Sequence, residues 1–285
     1  MTITAKVIAD SISYDNRRIT TLQLRYPRFI HEEFMTHRMF SRNASSSRAK
    51  PLSRWIQEIK EDCAMPIYWG KNKSGMQAEE ELDEELISIL KLEWLLASRQ
   101  MGELAKFYEK NGLHKQHSNR ILHPFQHIDV VVTATEWDNF FALRISDEAQ
   151  PEIKKLAEEM AKAMLESKAR ELDTGEWHLP YVTESEKVSN NLSSLKLVSA
   201  ARCARVSYSN HDGTKCDISK DIQLAEMLLK SYHMSPFEHQ ATPMSYNALD
   251  AREWQDYEGI THLDRFYEYW SGNFRGWIQY RQLCQ

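Results

Sequence analysis

Residues 36–48 read THRMFSRNASSSR, a stretch that concentrates cationic and polar side chains. It holds three arginines, one histidine and five serine or asparagine side chains within thirteen residues. Arginine binds phosphate through two parallel hydrogen bonds, and hydroxyl and amide groups complete a donor set suited to a phosphate or a uracil-like ring. A solvated surface loop with a basic edge is the alternative interpretation.

Two further segments concentrate polar groups in the same way. Residues 233–239 read HMSPFEH, which places two histidines and a glutamate on a short segment suited to hydrogen bonding a polar ring. The alternative is a plain turn at Ser-Pro with Phe237 in the core. Residues 139–144, NFFALR, place Arg144 at the end of an apolar run, and AQPEI follows at 149–153. A half-buried arginine needs an anionic or carbonyl partner, which a structural salt bridge would also provide.

The composition limits the classes of protein to consider. The chain has 285 residues with 36 Lys and Arg against 41 Asp and Glu, a net charge of −5. This balance argues against a surface-wide electrostatic grip on nucleic acid or anionic lipid. The four cysteines form no CxxC pair, which favours a reducing compartment. With no signal-peptide layout and no apolar run near the ~18 residues of a membrane span, we expect a cytoplasmic protein.

The pattern of apolar residues predicts an α+β fold. Alternation at 7–13 and 19–24 predicts two strands joined by a turn at 14–16. Apolar residues recur at helical spacing in residues 29–37, 77–110, 153–164, 192–205 and 218–229. Strand and helix cannot be separated over 127–145. The polar residues 170–195, broken by Gly175 and Pro180, are predicted to be a linker.

Four histidines at spacings of three, six and four are candidates for a metal site: His114, His117, His123 and His127. Neither a cysteine nor a pair of carboxylates accompanies them, and zinc sites have tighter spacing. We therefore expect no metal.

Taken together, the motif segments resemble the flavin-dependent thymidylate synthases, the ThyX family. The family's signature is Arg-His-Arg, two residues, Ser, one residue, Asn-Glu, one residue, Ser, one residue, Arg-Tyr. It is matched without a gap by His37, Arg38, Ser41, Asn43, Ser46 and Arg48. Further family segments correspond to residues 139–144 with 149–153, 204–207 and 233–239, and the arginine of an Ala-Arg-x-x-Leu-Pro stretch corresponds to Arg120.

The resemblance implies a single ThyX-like catalytic domain over residues 1–285, with a central, mainly antiparallel sheet flanked by long helices. The order of its segments differs from the family's. There the Pro-Phe-Glu-His segment comes first, whereas here the Arg-His-Arg-type segment lies within 1–168 and the Pro-Phe-Glu-His segment within 190–285. This order indicates a circular permutation, which compact domains tolerate when their termini are close together.

Three substitutions depart from the signature. Thr36 replaces the first arginine, Ala44 the glutamate and Ala49 the tyrosine. If the same anion is bound, another guanidinium must replace the missing one. We expect Arg275 or Arg281 to do so, since the permutation should bring the C-terminal segment to the site.

What the resemblance implies for function is the reductive methylation of dUMP to dTMP. Methylene-tetrahydrofolate would give the carbon, FAD would relay it and supply the hydride, and NADPH would re-reduce the flavin. The flavin contacts would be His37, Arg38, Ser41, Asn139, Ser207, His233, Ser235 and Glu238. The nucleotide contacts would be Ser46, Ser47, Arg48, Arg120 and Arg144, together with Arg275 and Arg281. Family members are homotetramers, so a homo-oligomer, either a tetramer or a dimer, is expected.

Three of these residues are candidates for a catalytic role. Arg144 would stabilise negative charge on the pyrimidine, and His233 would act beside the flavin. Ser46 matches a serine once considered a nucleophile, but a serine without an adjacent base is a poor one, so a binding role is preferred.

Other readings of the sequence stay open. The altered signature would also suit a pyrimidine nucleotide hydroxymethylase, in which water rather than hydride ends the reaction. A nucleic-acid-binding module that uses the Arg/Ser-rich loop is a second reading, which the net charge disfavours. A non-catalytic flavin-binding homologue is a third.

Overall fold

A five-stranded sheet organises the part of the chain that the computed structural model describes, residues 2–75, 77–206, 217–245 and 254–284. Its strands are β1 (Thr4–Ser13), β2 (Arg18–Pro27), β3 (Ser41–Ala44), β4 (His127–Ala134) and β5 (Arg170–Leu172), in the spatial order β3-β4-β2-β1-β5. All neighbours are antiparallel except β5, which pairs parallel to β1. The α+β class and the mainly antiparallel sheet are thereby confirmed.

The helices lie around this sheet. They are α1 (His31–Met35), α2 (Leu52–Glu61), α3 (Glu84–Lys110), α4 (Lys115–Ser118), α5 (Asp138–Arg144), α6 (Pro151–Glu166), α7 (Glu184–Ser189), α8 (Leu192–Arg205) and α9 (Ile218–Lys230). Helix α3 begins where the Asp83 side chain accepts from the Leu86 N–H, and α9 where Asp217 accepts from Ser219. A side chain that satisfies a free N–H of the first turn fixes such a start.

Shorter elements complete the C-terminal half. They are β6 (Ala241–Pro243), β7 (His262–Leu263), β8 (Tyr269–Ser271), β9 (Phe274–Arg275) and β10 (Trp277–Gln279). Three of the 3₁₀ turns carry predicted site residues: Asn119–Phe125, Ser235–Glu238 and Tyr280–Leu283.

The two faces of the sheet are covered by different parts of the chain. On one face, residues of β2 and β4 such as Leu22 and Val132 pack against α5 and α6. On the other face, Val131 packs against Tyr181 and Cys203, and Ile19 packs in a cluster with Trp277. Strands buried on both faces give nearly continuous apolar runs, which is why the pattern over 127–145 did not separate β4 from α5.

The predicted linker at residues 170–195 is wrong. Leu172 lies in β5 opposite Ser13, and Leu179, Tyr181 and His178 are buried. The His178 N–H donates to the Ala241 carbonyl at 2.8 Å. Most of its polar side chains are exposed, but those few buried residues fix the segment in the core, so its polar composition did not mean a free linker.

No helix in these described ranges has both the length and the apolar character needed to cross a bilayer.

Buried histidines make stability depend on pH, and the pKa values of His178 and His239 are lowered most. Burial lowers the pKa of His178 and that of His239 to about 3, whereas the unfolded chain titrates near 6.5. Below that value the unfolded state binds protons that the folded state does not. We expect the free energy of unfolding to fall between about pH 7 and pH 4, by up to ~1.4 kcal/mol per pH unit for each histidine.

Urea denaturation at several pH values measures this slope. His178→Gln has one imidazole fewer to protonate and should show a shallower slope than the wild type. Equal slopes for the two proteins would contradict the assignment.

Candidate active site

Strand β3 and the Ser235–Glu238 turn bring two of the predicted segments together. The Asn43 amide lies 2.9 Å from His239 Nε2 and 3.1 Å from Ser235 Oγ. These residues are nearly two hundred positions apart in the chain. The contact forms because β3 pairs with β4, while the Ser235–Glu238 turn packs against β3.

The third segment reaches the first through Arg144 at the end of α5. Its Nε donates to His37 Nε2 at 2.9 Å, and its Nη2 lies 3.4 Å from Thr36 Oγ1. Among the described residues, Arg144 has no carboxylate partner, so the salt bridge offered as an alternative is not found there. The half-buried guanidinium keeps its charge available to a ligand.

His37 is neutral in this arrangement. It packs against Phe40 and edge-on against Phe140, with ring centroids 5.9 and 4.8 Å away. Burial, followed by the charges of Arg144 and Arg42, lowers the pKa of His37 to about 4. A neutral imidazole can accept the Arg144 hydrogen bond, which fixes the direction of the guanidinium.

The two C-terminal arginines predicted to replace the missing guanidinium each have an acidic partner, which belongs to the 233–239 segment only for Arg281. Arg281 pairs with Glu238, and Arg275 Nε lies 2.7 Å from Glu136 Oε1. Burial raises the pKa of Glu238 despite the opposing effect of Arg281. Their role in nucleotide binding stays a prediction.

Ser41 faces inward. It is buried, and its hydroxyl donates to Asn273 Oδ1 at 3.1 Å. Gln279 Nε2 donates to the same oxygen at 2.8 Å. This predicted flavin contact therefore ties β3 to the C-terminal segment.

The residues predicted to bind the nucleotide lie on an adjoining loop and turn. Ser46, Arg48 and Arg120 are exposed. The Ser47 carbonyl accepts from Asn119 Nδ2 at 2.8 Å, which ties the serine loop to the turn that carries Arg120. Arg48 makes no ion pair with a described residue, so its guanidinium is free to meet an anion.

Ser46 has no base beside it in the described chain. Its hydroxyl oxygen accepts from the Arg48 N–H at 3.2 Å, a local turn interaction. The preference for a binding role over a nucleophilic one fits this geometry.

The remaining predicted flavin contacts are exposed. Arg38, Asn139 and Ser235 are exposed, and His233 is also exposed, with its Nδ1 2.9 Å from Ser231 Oγ. Ser207 lies outside the described residues. Just before it, Val206 adopts a φ of 55°, a left-handed conformation that is strained for a β-branched residue.

Several residues that support this site do not belong to the motif segments. His239 hydrogen-bonds to Thr133, and Thr133 hydrogen-bonds to Thr21. Thr21 in turn hydrogen-bonds to His178, so the contact between Asn43 and His239 extends into the core. Threonines on a strand carry no sequence signal for such a role. The histidine lay in the supposed linker.

A cavity of about 940 Å³ lies beside α1 and the start of α6, lined by Phe29, Glu33, Tyr68, Trp94 and Gln150 among others. None of the predicted site residues lines it. Within the described ranges, no group of three or more His, Cys, Asp or Glu side chains is arranged to hold a metal. The candidate site is therefore an open surface of exposed donors around the partly buried pair His37 and Arg144.

The fold and site together define an α+β protein with a cationic, donor-rich site beside one edge of its main sheet. The chain belongs to the thymidylate synthase complementing protein family, whose model matches residues 18–167. The resemblance drawn from the motifs is thus confirmed. No curated protein matches the chain.

Solved structures resemble the chain at low identity. The UMP/dUMP methylase PolB from Streptomyces cacaoi, bound with 5-Br UMP, is 17% identical with a TM-score of 0.48, over 57% of this chain and 88% of that one. The flavin-dependent thymidylate synthase ThyX from Helicobacter pylori, complexed with FAD and dUMP, is 16% identical with a TM-score of 0.37, over 51% and 67%. The family assignment rests on the sequence match.

The contact between Arg144 and His37 gives a test of the site's electrostatics. Arg144→Gln removes the charge that opposes protonation of His37, so the pKa of His37 should rise from about 4 towards 6.5 while burial keeps it below that value. Proton NMR titration of the imidazole measures the change.

Arg38→Gln is the matched control, because Arg38 is exposed and is not among the charges that depress the pKa of His37. An unchanged His37 pKa in Arg144→Gln would show that the guanidinium does not act on the ring.

Proposed function

We propose that the chain is a flavin-dependent thymidylate synthase that methylates dUMP to dTMP with methylene-tetrahydrofolate, FAD and NADPH. One observation carries the proposal: motif segments far apart in sequence meet through the contacts of Asn43 with Ser235 and of His37 with Arg144. Family membership supports the same reaction class.

The exposed polar groups fit a flavin cofactor. A flavin offers a polar ring edge that needs hydrogen-bond partners and a diphosphate that needs positive charge. Ser235 and His233 present a hydroxyl and an imidazole, and Arg38 presents an exposed guanidinium. Bound there, FAD would supply the hydride and carry the one-carbon unit, while the protein supplies binding and orientation.

The nucleotide would lie against the serine loop. Arg48 and Arg120 would bind its phosphate, because both are exposed cations on segments joined by the bond from Asn119 to Ser47. Ser46 would donate a hydrogen bond to the same ligand.

Arg144 would have the main electrostatic role. Neutral His37 accepts the hydrogen bond from Arg144 Nε. This contact fixes the direction of the two outer guanidinium nitrogens. A positive group in a fixed position stabilises negative charge that develops on a pyrimidine carbonyl as C5 becomes nucleophilic.

A second copy of the chain would complete the site. Four large apolar side chains beside Thr36 and Arg144 are exposed: Met35, Met39, Leu143 and Ile145. Such a group next to ligand-binding residues is typical of a subunit interface.

The described thiols of Cys63, Cys203 and Cys284 are not disulfide-bonded, which supports a reducing, cytoplasmic location.

The product decides the reaction. Purified protein with dUMP, methylene-tetrahydrofolate, FAD and NADPH should give dTMP, identified by mass spectrometry. Arg144→Ala should lower kcat by about 10²–10³, the usual cost of losing a group that stabilises developing charge. Ser46→Ala should retain turnover and raise KM about tenfold or less.

Arg99→Ala, an exposed arginine on α3, is the control and should behave as wild type. A hydroxymethylated product would replace the proposal with the hydroxymethylase. A protein that takes up no FAD and forms no product would contradict it.

A further inference from the structure

A continuous line of hydrogen bonds runs through the protein beneath the candidate site. It joins side chains of β1, β2, β4 and β3 through His178 and His239. The contacts are Ser11 Oγ to His178 Nδ1 at 2.9 Å, His178 Nε2 to Thr21 Oγ1 at 2.8 Å, Thr21 Oγ1 to Thr133 Oγ1 at 2.7 Å, Thr133 Oγ1 to His239 Nδ1 at 2.8 Å, and His239 Nε2 to the Asn43 amide at 2.9 Å.

The contacts of Asn43, at one end of this line, determine which partner donates and which accepts at each step. The same amide atom of Asn43 that faces His239 Nε2 also lies 3.0 Å from the Ser235 carbonyl and 3.3 Å from the Arg42 carbonyl. Carbonyl oxygens only accept hydrogen bonds, so this atom must be the NH₂ group. His239 Nε2 must then be an acceptor.

The remaining protons follow in sequence. His239 carries its proton on Nδ1 and donates to Thr133, whose hydroxyl donates to Thr21. Thr21 donates to His178 Nε2, so His178 also carries its proton on Nδ1 and donates to Ser11. Both rings are neutral Nδ1–H tautomers in this order, since an extra proton on either Nε2 would place two donors face to face.

Every link matters because the line is buried. Ser11 is 5% exposed, His178 is 1% exposed, and Thr21, Thr133 and His239 are fully buried. A buried donor that loses its acceptor is not rescued by solvent. Any break along the line therefore leaves an unsatisfied group in the core.

The outer end of the line reaches the site surface. With the Asn43 NH₂ turned inward, its Oδ1 accepts from Ser235 Oγ at 3.1 Å. The Ser235 hydroxyl proton is thus engaged, and its lone pairs are left to accept from a ligand. Ser235 is exposed, so this orientation is presented outward.

We propose that these side chains form a directed relay that sets the orientation of Asn43 and Ser235, and that His178 is a positioning residue for the site although it lies three hydrogen bonds from His239. His178 is also outside the segment that matches the family model. The proposed function enters only in naming FAD as the ligand at Ser235.

The tautomers test the relay without any ligand. Protein labelled with ¹⁵N-histidine, free of FAD, should show His239 and His178 as Nδ1–H tautomers by long-range ¹H–¹⁵N NMR. An Nε2–H tautomer at His239 would overturn the relay. This measurement uses the wild type, so it stands even if variants fail to fold.

A pair of substitutions separates the relay from simple packing. Thr133→Val keeps the volume and removes the hydroxyl, whereas Thr133→Ser keeps the hydroxyl and removes a methyl. A packing role favours valine. The relay favours serine, with FAD Kd about tenfold weaker in Thr133→Val and within about twofold of wild type in Thr133→Ser.

A second pair tests the remote end. His178→Phe removes both ring hydrogen bonds and should weaken FAD about tenfold, while His178→Gln, whose amide can accept from Thr21, should recover most of the affinity. Wild-type FAD affinity in both Thr133→Val and His178→Phe would overturn the positioning role. If the wild type itself takes up no FAD, the proposed function fails, and the tautomers alone decide the relay.

Discussion

The Asn43 amide is the contact on which the site depends. It joins β3 to His239 and to Ser235, so one side chain connects the Arg/Ser-rich segment, the Ser-Pro-Phe-Glu turn and the buried polar groups behind them. Because the amide donates on one side and accepts on the other, a single orientation lets it donate to His239 and accept from the Ser235 hydroxyl. When the hydrogen bonds of a side chain can be made in a single orientation, that side chain gives the site a defined geometry.

Contacts of this kind explain how the family's motifs act together in an altered chain order. Arg144 and His37, like Asn43 and Ser235, are brought together by the packing of the strands, helices and turns that carry them. Sequence order decides how these elements are connected, whereas strand pairing and packing decide which side chains meet. The changed order is therefore compatible with the spatial arrangement that the motifs require.

Much of the fold could be predicted because its signals are local. The β1–β2 hairpin, α8 and the Asp217 cap of α9 follow from spacing and capping chemistry. The 170–195 segment could not be predicted, because its polar groups bond to residues distant in sequence. Likewise, the motif gave the identity of Ser41 but not its inward direction, which depends on Asn273.

A crystal structure of the chain with FAD and dUMP bound would test the account most directly. We predict a flavin in contact with Ser235 and His233, and a nucleotide whose phosphate lies at Arg48 and Arg120 and whose pyrimidine carbonyl faces Arg144. The Asn43 amide should keep its bonds to His239 and Ser235. A flavin bound away from the Ser235 turn, or a nucleotide without contact to Arg144, would contradict the account.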